Sequence, residues 1–255
     1  LGIGVETEKN EIIAFIDSDN ILPSSNWLKV MVKPFNDKDI AGVEPLYYTY
    51  RRGDPLITRY CALMGMNDVL CFFLGNYDRY NYVTERWTGL HVNAVDRGDH
   101  LLVKLDEGNI PTMGANGFLV RAEALKSMDY KPYLFDIDMI YQLVAAGWNE
   151  YAKVKMGIVH LFAENVKAYV RKTRRRIRDY LYYERFGARK YPWRRVNRLG
   201  ILKFILYTLL IAPLMKDPLR GYKKLPDRAW LFHALACWLT LLTYGTIFIV
   251  SVAWR

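Results

Sequence analysis

The chain has 255 residues, of which 52% are hydrophobic, 15% aromatic and 24% charged. That length and mixture hold one sizeable domain with an appendage and exclude a disordered chain. The net charge of +10 calls for polyanionic partners, yet much of it gathers in Arg171 to Arg198, just ahead of an apolar segment, which favours a membrane surface over nucleic acid.

In chain order, Glu11 to Ile16 is a short apolar run ending in Asp17-Ser18-Asp19, and it is expected to be a buried strand. Leu1 is not a methionine and leads almost at once into that strand, so a truncated N-terminus without a signal peptide is expected. Pro23, Ser24 and Ser25 supply a helix start ahead of Trp27, Leu28, Val30, Met31 and Val32. Ile40 to Tyr50 reads as extended and Pro55 to Leu74 as mostly helical. This alternation of strand and helix predicts an α/β sheet. From Gly75 to Gly108 the pattern dissolves, which predicts a long irregular loop. Order returns at Ile110 to Arg121, with helices expected near Ala122 and from Asp136 to Ala146, where Gly147 stops the second. Val154 to Leu161 reads as a strand, and Glu164 to Phe186 as a long basic helix ended by Gly187.

Two apolar segments follow, at about 199–215 and 229–254. The second is long enough to cross a bilayer of about 30 Å at about 1.5 Å per residue. The first is short and carries Lys203 and Pro213, so it can span, re-enter or lie in the interface. Basic residues before it put the globular part in the cytoplasm. Lys216, Arg220, Lys223, Lys224 and Arg228 make the connecting loop basic as well, which does not suit a simple hairpin. Cys61, Cys71 and Cys237 lack metal-type spacing and read as buried free thiols in a reducing compartment.

Several residues carry chemistry. Asp17 and Asp19, one residue apart at the carboxyl end of a strand, suit a hard divalent cation bridging to phosphate, or else a turn whose carboxylates satisfy local amides. Asp136 and Asp138 at a helix start are either caps or, among Phe135, Ile137 and Met139, a general base. His160 closes an apolar strand as a core residue or completes a metal site begun by Asp19. Gly114-Ala115-Asn116-Gly117 permits close backbone approach to a ligand, or forms an ordinary turn. The Arg171 to Arg178 run is a solvated face or a surface for anionic lipid or a phosphate-bearing acceptor.

The order of these elements resembles family 2 glycosyltransferases with the GT-A fold. Ile12-Ile13-Ala14-Phe15-Ile16-Asp17-Ser18-Asp19-Asn20 resembles that family's strand and DxD motif. Met113-Gly114-Ala115-Asn116-Gly117-Phe118 is similar to its Gly-rich donor segment, and Phe135-Asp136-Ile137-Asp138 with Leu143 and Gly147-Trp148 to its "ED … L … GW" segment. The resemblance covers roughly Leu1 to Arg185. It implies a Rossmann-like GT-A domain at 1–190, lacking its first nucleotide-binding βαβ part, then a membrane-associated region at 191–255.

It further implies that Asp17, Ser18, Asp19, Gly114, Ala115 and Asn116 hold a nucleotide-sugar donor. Asp19 would coordinate Mg²⁺ or Mn²⁺, with Asp17 and His160 as further ligands. Asp136 would deprotonate the acceptor hydroxyl, giving inversion. Asp138, Trp148 and Trp87 stand as acceptor contacts, the last with Tyr77, Tyr80 and Tyr82 in the irregular loop, where the aromatics can instead fill a loop core. The implied partners are a lipid-linked or polysaccharide acceptor and membrane lipids, not nucleic acid. Phe135 replaces the usual Glu, which thins the acceptor-side carboxylate set; the basic helix has no Gln-x-x-Arg-Trp motif, which argues against a processive synthase. A non-catalytic, membrane-anchored module that keeps the fold is the competing reading.

Overall fold

The computed structural model describes residues 10–128, 134–193 and 197–253. Trp254, at the end of the second apolar segment, and Arg194 and Arg195 of the basic run lie outside the described residues. The chain divides into two compact units: Leu1–Thr49 with Leu90–His160 and Ala188–Tyr191, and Tyr50–Gly89 with Leu161–Gly187 and Pro192–Arg255.

The first unit is a mixed sheet with helices, the α/β architecture expected. Its strands among the described residues are β1 (Ile12–Phe15), β2 (Asn20–Ile21), β3 (Ile40–Tyr48), β4 (Asn93–Asp96), β5 (His100–Lys104), β6 (Phe118–Arg121) and β7 (Glu150–His160). Their order is β1-β6-β3-β7-β5-β4, with β2 paired to the end of β7. Only β3 and β7 run parallel; the other pairs are antiparallel. The helices are α1 (Trp27–Val32), α4 (Ala122–Lys126) and α5 (Asp136–Ala145), while α2 (Leu56–Met64) and α3 (Leu70–Leu74) belong to the second unit. Val43, Phe118, Leu119, Val120, Ala152 and Ile158 are fully buried on the sheet, with Trp27, Met31, Ile140 and Leu143 from the helices. Trp27 satisfies its one polar atom by donating from Nε1 to the Gly157 carbonyl at 2.9 Å.

Three expectations change. β1 is not a fully buried strand: it ends the strand order, and only Phe15 of its four residues is buried. Residues 75–108 are not one irregular loop, because 93–104 form the β4–β5 hairpin, turned at Gly98. Residues 75–89 close on themselves, Gly89 N–H donating to Gly75 O at 2.8 Å. β7 begins at Glu150 rather than Val154.

The second unit is helical. Besides α2 and α3 it contains α6 (Val166–Arg185), α7 (Arg198–Leu210), α8 (Lys216–Lys224) and α9 (Phe232–Ala253). Its core gathers Ile57, Tyr60, Leu63, Tyr77, Phe162, Tyr169, Phe204 and Trp230. All three cysteines are free, Cys61 and Cys237 buried and Cys71 half-buried; burial pushes the Cys61 thiol up to about 12. Within the first apolar segment, α7 ends at Leu210, where Ile211 takes a positive φ of 57°, and Pro213 has no N–H to carry the helix on.

Candidate functional site

The sheet topology brings distant motifs to one edge. β1 and β6 are antiparallel with Phe15 opposite Phe118, so the end of β1 adjoins the start of β6. β3 and β7 are parallel with Tyr48 opposite Ile158, so both finish near the same edge. Asp17 to Asp19 follow β1, Tyr48 ends β3, His160 ends β7, and Asn116 precedes β6. Ligands bind outside strand carboxyl ends in open α/β sheets.

Asp17 to Asn20 form a tight turn. Asn20 N–H donates to Asp17 O at 2.9 Å, and Asp17 N–H donates to Asn20 Oδ1 at 3.0 Å. The turn leaves Asp17 and Ser18 exposed. β2 then pairs Asn20 with His160, which brings Asp19 Oδ2 to 3.4 Å from His160 Nε2. Tyr48 packs its ring 5.4 Å from the imidazole.

The Gly-rich loop is tied to this turn. Asn20 Nδ2 donates to Asn116 Oδ1 at 3.0 Å, and Asn116 Nδ2 donates to Tyr48 Oη at 3.3 Å. Gly117 N–H donates to Phe15 O at 2.9 Å. Gly114 has φ +111°, and a Cβ there would stand 2.8 Å from the Asp136 carbonyl oxygen. The loop therefore lies directly against the first turn of α5.

Asp136 is exposed in the first turn of α5. Asp138 is 3% exposed. Its Oδ2 accepts from Arg189 Nε at 2.9 Å and from Nη2, while its Oδ1 accepts from the backbone N–H of Lys190 and of Tyr191, the latter at 3.0 Å. The Arg189 guanidinium also lies 4.1 Å from the Phe135 ring centroid. Phe135, standing where the resemblance expects Glu, thus serves as a stacking platform. Trp148 follows α5 half-buried, its carbonyl accepting from Tyr151 Oη at 2.8 Å. Trp87 belongs to the second unit and is buried there, as is Tyr77.

Asp19 and His160 suit a hard cation that takes its remaining oxygens from a diphosphate and water. Among the described residues no three His, Cys, Asp or Glu side chains gather into a larger ligand set. A cation here would therefore be held jointly with its substrate.

Sequence reasoning gave no role to Tyr48, Glu44, Lys153 or Arg189. Glu44 and Lys153 had a signal, each being a charge inside an apolar strand run. The partner of Arg189 lies 51 positions away and leaves no local pattern.

The family model described as "Glycosyltransferase like family 2" matches residues 2–178. The chain belongs to that family. It is a glycosyltransferase, working between a nucleotide-sugar donor and an acceptor. No curated protein and no solved structure matches it.

Proposed function

We propose that this chain moves a hexosyl group from a nucleotide-diphosphate sugar to a hydroxyl of a lipid-linked or polysaccharide acceptor, with inversion and without processivity. The observation that supports this most is the chain of contacts from Asp19 through Asn20 and Asn116 to Gly114 and Asp136. It joins the donor-side carboxylates to a base within one unit. In this reading, residues 1–190 form the transferase domain, and 191–255 attach it to the cytoplasmic face of a membrane.

Asp17, Ser18 and the backbone of Gly114 to Asn116 hold the donor. Asp19 and His160, which approach to 3.4 Å, would hold Mg²⁺ or Mn²⁺, and that ion would supply charge neutralisation at the departing diphosphate, while Asp17, which among the described residues forms no three-residue cluster with them, stays with the donor. Asp136 accepts the proton of the acceptor hydroxyl as its oxygen attacks the anomeric carbon from the face opposite the leaving group. Asp138 acts by ordering residues 189–191 beside Phe135, and Trp148 offers an aromatic face to the acceptor.

The test is sugar-nucleotide hydrolysis and donor binding by the full-length protein in detergent, screened over UDP- and GDP-sugars with Mn²⁺ or chelator. Metal-dependent turnover that disappears in both Asp19→Ala and Asp136→Asn is expected. Donor binding is expected to survive Asp136→Asn and to weaken in Asp19→Ala. A protein with neither turnover nor metal-dependent donor binding is a non-catalytic, membrane-anchored relative instead.

A further inference from the structure

Within the second unit, α9 is long and apolar enough to cross a membrane, the candidate stretch being Arg228–Ser251. Its neighbours argue against a simple crossing. The ring of Tyr169 on α6 meets that of Phe232 at 5.3 Å, and its hydroxyl lies 3.1 Å from Thr240 Oγ1. One turn further on, Tyr244 donates a hydrogen bond to Asp68, which also pairs with Arg176 of α6 at 3.2 Å. Tyr244 lies sixteen residues beyond Arg228, about 24 Å along a helix at about 1.5 Å per residue.

A perpendicular α9 would therefore carry the Asp68–Arg176 pair almost to the far side of a hydrocarbon core of about 30 Å. α6 would be drawn in alongside it, with Arg171, Arg174, Arg175, Arg178 and Asp179 all exposed. Charges facing lipid at that depth are strongly disfavoured.

α7 gives a concordant picture. Its 13 residues reach only about 20 Å at about 1.5 Å per residue, and the chain bends by 105° between it and the helical stretch Pro213–Lys224. One face of α7 is buried through Gly200, Phe204 and Thr208, yet Leu199, Leu202, Leu206, Leu209 and Leu210 are exposed. α9, which packs against α7, likewise exposes Leu235, Leu242, Phe248 and Ile249. Exposed basic residues flank these apolar surfaces: Arg198, Lys203, Lys216, Arg220, Lys223, Lys224 and Arg228. Apolar side chains bordered by lysine and arginine match the acyl boundary and anionic headgroups of one leaflet.

We infer that the second unit is monotopic: α7 and α9 lie in the plane of a single leaflet, and α6 stays in water on the side from which the unit docks. This rests on the membrane attachment proposed above and not on the transferase reading. It also accounts for basic residues on both sides of the first apolar segment, since neither segment crosses.

The experiment uses the full-length chain in sealed, oriented membrane vesicles, with Arg178→Cys on α6 and Arg228→Cys at the head of α9. A membrane-impermeant maleimide should label both from the same face at comparable rates, above the wild-type background of the native cysteines. Labelling of Arg178→Cys from the opposite face, or from neither while Arg228→Cys reacts, overturns the inference. A fluorophore at Leu242→Cys should be quenched by lipids brominated on their acyl chains. If aqueous iodide quenches it and bromolipid does not, or if a second protein shields it from both, lipid is not the occupant and the inference fails. Loss of the chain from the vesicles also defeats it by removing the attachment. Sugar-nucleotide turnover on the same samples reports separately on the transferase reading.

Discussion

Lys153 Nζ stands 2.6 Å from Glu44 Oε2, with both side chains fully buried on the facing parallel strands β3 and β7. The other carboxylate oxygen, Oε1, accepts from Gly114 N–H at 3.1 Å. A buried ion pair thus fixes the loop that lies against Asp136. Removing one partner of such a pair strands the other charge, at a cost of about 3–5 kcal/mol, whereas replacing both by apolar residues is often neutral.

Lys153→Met and Glu44→Gln should each lower the thermal midpoint by on the order of 10 °C, at about 2–4 °C per kcal/mol for a domain of this size. The double variant Glu44→Leu/Lys153→Met should recover part of that midpoint, the stranded Gly114 N–H holding back about 1–3 kcal/mol. It should not recover turnover, because Gly114 N–H loses its acceptor. A double variant as active as wild type would show that the pair does not position the loop.

The Arg189–Asp138 pair makes a different prediction. Arg189 supplies a two-nitrogen fork to one carboxylate oxygen and lays its guanidinium plane on Phe135. A lysine has neither the fork nor the plane. Arg189→Ala should therefore destabilise the protein by about 1–3 kcal/mol, the cost of an under-satisfied buried acceptor, and Arg189→Lys should recover little. Turnover should fall through kcat more than through the donor KM, since the change reaches α5 and not the DxD turn. A selective rise in donor KM would contradict this assignment.

These two pairs also show what the sequence made legible. The DxD turn stood out because an apolar run ends abruptly in two carboxylates, and the first turn of α5 because acidic residues open a helical apolar pattern. The β4–β5 hairpin was hidden because all four residues of β4 are exposed, leaving no inward-outward alternation to detect. The first residues of β7 were hidden because Glu150 and Lys153 interrupt the apolar run, and only the facing Glu44 makes a buried lysine tolerable. The contacts joining Asn20 to Asn116 and Asp138 to Arg189 depend on sheet order and chain return. No local period encodes either.

Asp99, in the β4–β5 turn, gives a pH test. Hydrogen bonds from Lys33 and then from His100 hold its carboxyl down at about 2, against about 3.9 for an unperturbed Asp. Its ionised form therefore favours the folded state at pH above about 4, and that contribution is lost as pH falls toward about 2. Both partners are well exposed, so the effect stays below about 1 kcal/mol. Denaturation of wild type and Lys33→Met should show a small gap at pH 6 that shrinks as pH falls below about 4 and closes only below about 2. A gap of constant size across that range would rule out Asp99 as its source.

Gly114 and Gly147 separate positioning from backbone strain. Both have positive φ, +111° and +94°, so alanine at either place is strained by about 1–2 kcal/mol. At 147 a Cβ meets nothing within 4 Å, whereas at 114 it would meet the Asp136 carbonyl oxygen at 2.8 Å and Met139 Cε at 2.9 Å. Backbone carbonyl cannot swing aside as a side-chain tip does, so Gly114→Ala must displace the loop or the first turn of α5. A misplacement of about 1 Å in a catalytic geometry costs on the order of a hundredfold in rate. Gly114→Ala should therefore lose about that much turnover, while Gly147→Ala loses a similar amount of stability and keeps nearly all of its activity. Equal activity in the two variants would mean that the approach of the loop to Asp136 has no part in positioning the base proposed above.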